Sequence, residues 1–216
     1  MRALLWDLDD TLLETLPARM KALEFAYEQC LGAHTDGLAL WRSHRGGTLE
    51  ALGRQLLGDD YPRFVKAYHD EYYGHQRDIK PFPGVQAVLE ACLEVELPMA
   101  VVTSKLAWGA TEELLQVDLL RYFQAVVGCD DTELHKPDAE PVFMALERLL
   151  EDDPSQAIFV GDTPADVWAA RNAGCKSVAA LWGTVDETQL VESLPDFTIR
   201  QPAELLTILR GEVVSR

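Results

Sequence analysis

The sequence predicts an α/β fold: a doubly wound parallel sheet core with an inserted α-helical cap domain. Three observations carry this prediction. From Val85 onward, helical and strand patterns alternate, as they do when helices cross over between parallel strands. The short apolar runs Ala3–Trp6, Met99–Val102 and Ala157–Val160 read as strands buried on both faces, the pattern of a parallel sheet. Residues 14–81 carry helical spacing and no convincing strand, so they read as an insert behind the first strand.

Within the insert, Leu16, Met20, Leu23, Ala26, Tyr27 and Leu31 follow helical spacing over Leu13–Leu31, and Gly32 is a stop signal. Residues 33–47 read as a break with a short polar stretch, Trp41–Gly47. Thr48 is an N-cap ahead of the stripe Ala51, Leu52, Leu56 and Leu57. Phe64, Val65, Tyr68, Tyr72 and Tyr73 repeat the pattern over Pro62–Gln76. Pro81–Gly84 then punctuates the chain. The predicted division is a core of residues 1–13 and 82–216 and a helical cap of 14–81. In the core, helices are expected at 85–95, 108–120, 138–150, 165–173 and 202–210. Strands are expected at 98–103, 125–128, 157–161, 177–181 and near 197–199.

Composition narrows the partners. Nineteen Lys and Arg against 36 Asp and Glu leave a net charge of −17, a field that repels nucleic acid and anionic membrane surfaces. An anionic substrate then needs local help from a metal, a Lys, an Arg or backbone N–H groups. The scattered cysteines Cys30, Cys92, Cys129 and Cys175 show no C-x-x-C spacing and read as reduced thiols of a cytoplasmic protein. No run approaches the ~18 apolar residues of a membrane helix. The apolar run before Asp7 is too short for a signal peptide.

The chemistry gathers at four stations. Strand Ala3–Trp6 runs into Asp7-Leu8-Asp9-Asp10-Thr11, and carboxylates so close repel unless a cation or shared proton intervenes. If the backbone stays extended there, Asp7 and Asp9 project to the same side. The second apolar run ends in Thr103-Ser104-Lys105, and His135-Lys136-Pro137 precedes a helical segment, Pro137 suiting its start. The third run ends in Gly161-Asp162-Thr163-Pro164-Ala165-Asp166. Open α/β sheets bind ligands at the carboxyl ends of their strands, so these stations can converge on one phosphate and one metal.

The D-x-D-x-T and G-D-x-x-x-D motifs, in this order along nearly the whole chain, resemble the haloacid dehalogenase superfamily of phosphohydrolases. The resemblance implies a Rossmannoid core with its cap inserted after the first motif. It makes Asp7 the nucleophile that forms an aspartyl-phosphate, and Asp9 the general acid that later activates water. It implies Mg2+ held by the carboxylates of Asp7 and Asp162 and the backbone carbonyl of Asp9. Thr103 and the N–H of Ser104 would bind phosphoryl oxygens, and Lys136 would neutralise the charge there. Asp166 would hold metal waters or Lys136, or simply complement a helix dipole. The chain departs from the family pattern at Asp10, where many relatives have Gly, and at Ala139, in place of the second proline of K-P-x-P.

Cap residues should choose the substrate. Arg42, His44 and Arg45 beside Gly46-Gly47 form a basic, glycine-bearing turn in an acidic chain, with Arg45 and Gly46 as specificity candidates and His44 an ordinary loop residue. The presence of Asp9 disfavours dehalogenation, and no Lys between Lys21 and Lys66 disfavours phosphonate cleavage. Arg19, where resembled mutases carry His, weakens that reading. The expectation is a Mg2+-dependent phosphoric monoester hydrolase for a small phosphorylated metabolite, a phosphoglycolate-like phosphate ester. Alternatives are a sugar-phosphate mutase, a pyrophosphatase or nucleotide phosphatase, and a non-catalytic binding homologue. Either a monomer or a homodimer fits the sequence.

Overall fold

The computed structural model describes residues 1–44, 48–74 and 78–211. Strand β1 (Ala3–Trp6) leads into helices α1 (Leu16–Leu31), α2 (Gly37–Ser43), α3 (Leu49–Leu57) and α4 (Tyr61–Gly74). Then follow α5 (Val85–Glu94), β2 (Met99–Val102), α6 (Ala107–Gln116), β3 (Ala125–Val127), α7 (Glu140–Arg148) and β4 (Ala157–Gly161). The chain continues through α8 (Pro164–Ala173), β5 (Lys176–Ala180), α9 (Glu187–Glu192), β6 (Phe197–Ile199) and α10 (Glu204–Leu209).

Two compact units result, one of Met1–Glu14 with Lys80–Arg216 and one of Thr15–Ile79. The first is built on a six-stranded sheet of order β3-β2-β1-β4-β5-β6, with every neighbouring pair parallel. Strand β1 is central, its Leu4 opposite Met99 of β2 and Ile158 of β4. All four of its residues are fully buried, which is why the strand reads as an unbroken apolar run rather than an alternating one. Leu5, Val102 and Phe159 face one apolar layer closed by Val142, Ala145 and Leu146 of α7 and Ala169 and Ala170 of α8. The strand order reverses between β2 and β4 on either side of β1, which opens a crevice at the carboxyl ends of those strands.

The second unit packs Leu23 and Ala26 of α1 with Leu40, Leu52 and Phe64. Gly32 ends α1 in the left-handed region at φ 70°, and the Thr48 side chain caps α3 by accepting from the Ala51 N–H. The segment 33–47 is not simply a break, because α2 occupies Gly37–Ser43. Asp36 caps that helix by accepting from Ala39 N at 2.7 Å, and Gly37 lets it approach α1: a Cβ there would lie 2.5 Å from the Met20 carbonyl oxygen. Seven residues opening on a glycine carry too little periodicity to show in the sequence. Helix α9 escaped prediction as well, with only Leu190 and Val191 apolar among its six residues. The third expected helix of the core begins at Glu140, so Pro137 lies ahead of it rather than at its first turn.

Candidate active site

Backbone N–H of Asp7 donates to the Val160 carbonyl at 2.8 Å, which carries the β1–β4 pairing one residue past the strand. Extended geometry then stops. Asp10 adopts φ 61°, a conformation that a short polar side chain tolerates better than most, and its N–H donates to Leu13 O at 2.7 Å. Asp7 and Asp9 therefore part company. Asp7 accepts from Lys136 Nζ at 2.5 Å, whereas Asp9 Oδ1 accepts from Lys105 Nζ at 3.0 Å.

The Lys136 ammonium is only 5% exposed and divides its three donors among Asp7 Oδ1, Asp166 Oδ1 at 2.6 Å and the Val102 carbonyl at 3.2 Å. It thus ties the ends of β1 and β2 to the first turn of α8. Asp166 serves on both its oxygens, because Oδ2 accepts from Thr163 N at 3.0 Å and Thr163 Oγ1 at 2.6 Å. Asp166 thus pairs with Lys136 and also caps the start of α8. Gly161 makes this possible: a Cβ there would lie 2.3 Å from the Asp166 Cβ. Asp162 is 5% exposed and accepts from Thr11 Oγ1 at 3.0 Å.

Carboxylate oxygens of Asp7, Asp162 and Asp166 lie within 4.8 Å of one another, all three residues buried. Burial pushes the Asp7 carboxyl up to about 7, with the Lys136 ammonium opposing and the Asp166 carboxylate adding to the rise. Burial works against the charged form of Lys136 as well, but Asp166 and Asp7 outweigh it and hold the amine above its ordinary range. Three buried acids around one ammonium leave negative charge uncompensated, and an all-oxygen donor set of this kind fits a hard divalent cation. The Asp9 carboxylate stands outside this cluster.

Thr103, 4% exposed, follows β2 directly, and its Oγ1 accepts from Lys105 N at 3.1 Å. Ser104 is exposed in the bend beside it. Arg45 and Gly46 lie outside the described residues. His44 Nδ1 pairs with Gln55 Oε1 at 2.9 Å within the helical unit. Sequence reasoning missed Thr11, although it is the last letter of D-x-D-x-T, and Lys105, although it adjoins Thr103-Ser104. It also missed Glu113, whose 1% exposure no sequence pattern announces.

A sheet with its strand order reversed at β1, acids on two adjoining strand ends and a buried lysine between them define a phosphoryl-transfer type of centre. The family profile of haloacid dehalogenase-like hydrolases matches residues 4–180, and the chain belongs to that family. Among its relatives, a protein of Caldanaerobacter subterraneus subsp. tengcongensis, provisionally named the pyrophosphatase PpaX, is 36% identical over 97% of this chain and 94% of its own length. The phosphoglycolate phosphatase of Aquifex aeolicus is 33% identical over 99% of both chains. A solved structure from Thermotoga maritima, provisionally named a β-phosphoglucomutase, is 28% identical with a TM-score of 0.77, over 99% of this chain and 100% of that one.

Proposed function

We propose that the chain is a Mg2+-dependent phosphatase that hydrolyses a small phosphoglycolate-like monoester through an aspartyl-phosphate on Asp7. It is a phosphoric monoester hydrolase. The observation that carries this reading is the buried Asp7 carboxylate, 2.5 Å from Lys136 Nζ, at the carboxyl end of the central strand beside Asp162 and Asp166. The relatives' names support the same chemistry.

In this reading an Asp7 oxygen bonds to phosphorus as the ester P–O bond breaks, and Asp9 gives its proton to the departing oxygen. Asp9, now a carboxylate, takes a proton from water as the water oxygen attacks phosphorus. The Asp7–phosphorus bond then breaks, releasing inorganic phosphate and restoring both acids. Thr103 Oγ1 and the Ser104 N–H hold phosphoryl oxygens, and Lys136 keeps Asp7 oriented and offsets the charge gathered there. Carboxylates of Asp7 and Asp162, the backbone carbonyl of Asp9 and, at one remove, Asp166 would hold the ion. When bound, Mg2+ supplies further neutralisation of the phosphoryl oxygens. The unit Thr15–Ile79 acts as the cap that selects the substrate, and free cysteines in an acidic chain suit a cytoplasmic setting.

The 36% identity to the PpaX protein favours pyrophosphate as the second reading. Phosphate release from phosphoglycolate, hexose phosphates, nucleotides and pyrophosphate, with Mg2+ and with chelator, distinguishes the two. We expect Mg2+-dependent release, strongest from the small carboxylated ester. Asp7→Asn should lose turnover by at least about a thousandfold while keeping its fold. Unchanged turnover in that variant removes Asp7 as the nucleophile.

A further inference from the structure

Outside the buried acid cluster, the described residues hold a second, partly buried ion network, of which the mechanism above uses only Asp9. Lys105 Nζ lies 2.5 Å from Glu113 Oε2 and 3.0 Å from Asp9 Oδ1, with the lysine side chain 12% exposed and Glu113 1% exposed. A carboxylate buried inside α6 is costly unless a cation meets it, so Glu113 pins Lys105 rather than the reverse. The backbone pins it too: Lys105 N donates to Thr103 Oγ1 at 3.1 Å, and its carbonyl accepts from Cys129 N at 2.9 Å. Asp9, by contrast, sits in a turn beyond the end of β1, next to a residue at φ 61°.

We propose that Lys105, anchored by Glu113, is a positioning residue that holds the Asp9 carboxyl by Oδ1 in the place from which it transfers its proton. This rests on the phosphatase reading, in which Asp9 protonates the leaving oxygen. A general acid gains its rate only when held within hydrogen-bond reach of the atom it protonates. Glu113 balances the ammonium, so Lys105 orients Asp9 without adding net positive charge beside it. For the same reason a lysine shared by two carboxylates has little net charge to offer a substrate anion, which favours positioning over substrate binding.

Leaving-group dependence tests this. Glycolate leaves phosphoglycolate as an alkoxide and needs a proton, whereas 2,4-dinitrophenyl phosphate releases a stable phenolate that does not. In Lys105→Met we expect kcat/KM, which reports the step in which the ester bond breaks and not the later hydrolysis that both esters share, to fall by about 10- to 100-fold for phosphoglycolate and to stay within about threefold for the dinitrophenyl ester. Glu113→Gln, which keeps volume and hydrogen-bonding capacity, should show the same split more weakly, and it carries the test if Lys105→Met does not fold. Equal losses of kcat/KM on both esters, a loss that comes from KM alone, or no change overturns the assignment. A wild-type chain that releases phosphate from neither ester overturns the phosphatase reading itself, and this assignment with it.

Discussion

Residue 183 shows how tightly the turn carrying Asp9 is held. A Cβ on Gly183 would stand 1.7 Å from the Asp10 carbonyl oxygen and 2.7 Å from its carbon, both backbone atoms with no side-chain freedom to yield. Beside it, Trp182 Nε1 donates to the Thr11 carbonyl at 2.9 Å. The turn that follows β5 thus braces the loop leaving β1, and the requirement for glycine is one of space. In Gly183→Ala one backbone segment must move. We expect a loss of roughly 1–3 kcal/mol in stability, the ordinary cost of overpacking, together with a fall in kcat as Asp9 is displaced. Thermal melts and phosphate release measure the two effects. A variant with wild-type stability and turnover means the brace gives way without consequence.

At the scale of elements, the segment from β3 to α7 delivers Lys136, and Asp131 fastens it. Asp131 Oδ1 accepts from Arg148 Nη2 at 2.5 Å and Oδ2 from Gly128 N at 2.9 Å, while Arg148 Nη1 donates to the Val126 carbonyl at 2.7 Å. Burial alone would raise the Asp131 carboxyl, but the Arg148 and Gly128 hydrogen bonds prevail and hold it below its ordinary value of 3.8. A depressed carboxyl stabilises the fold above its unfolded pKa, near 4, and loses that contribution as pH falls through its lower folded value. Asp131→Ala should therefore cost about 1–2 kcal/mol in denaturant melts at pH 7, a cost that shrinks as pH falls below about 4. A cost that does not change with pH would assign the effect to packing. Elements of this kind mark the boundary of what could be read from the chain. Strands buried on both faces and helices of nine or more residues carry strong patterns, so the order of alternation was legible. Helices α2 and α9, with seven and six residues, were not, whereas the equally short α10 was, because Leu205, Leu206, Ile208 and Leu209 crowd its six positions. Within the site, acids at strand ends stood out because acids are rare in buried strands, which drew Asp7 and Asp162 into the reading, and the spacing of G-D-x-x-x-D brought in Asp166. Lys105 and Glu113 passed unnoticed because a lysine in a bend and a glutamate in a helix are unremarkable until burial is known.

At the scale of the whole molecule, the net charge of −17 includes a centre that holds three buried acids and one ammonium. Burial places Asp7 at about 7 when folded, against its ordinary 3.8. Between those two values the folded chain binds a proton that the unfolded chain has released, so in chelator stability declines as pH rises through that window. A cation that binds only the folded chain opposes this decline, by about 2.7 kcal/mol at a hundredfold excess over its Kd. For a chain of this length that corresponds to a rise in Tm of roughly 5–10 °C. Mg2+ should therefore raise Tm over the chelator value, and by more at pH 8 than at pH 5, where Asp7 keeps its proton. Diffuse screening of the acidic surface could raise Tm as well, and Asp162→Asn separates the two. Losing one cluster carboxylate should abolish the specific shift and leave only the part that sodium at equal ionic strength reproduces. An undiminished Mg2+ shift in Asp162→Asn means the ion acts on the overall charge, and the acid cluster is then not its binding site.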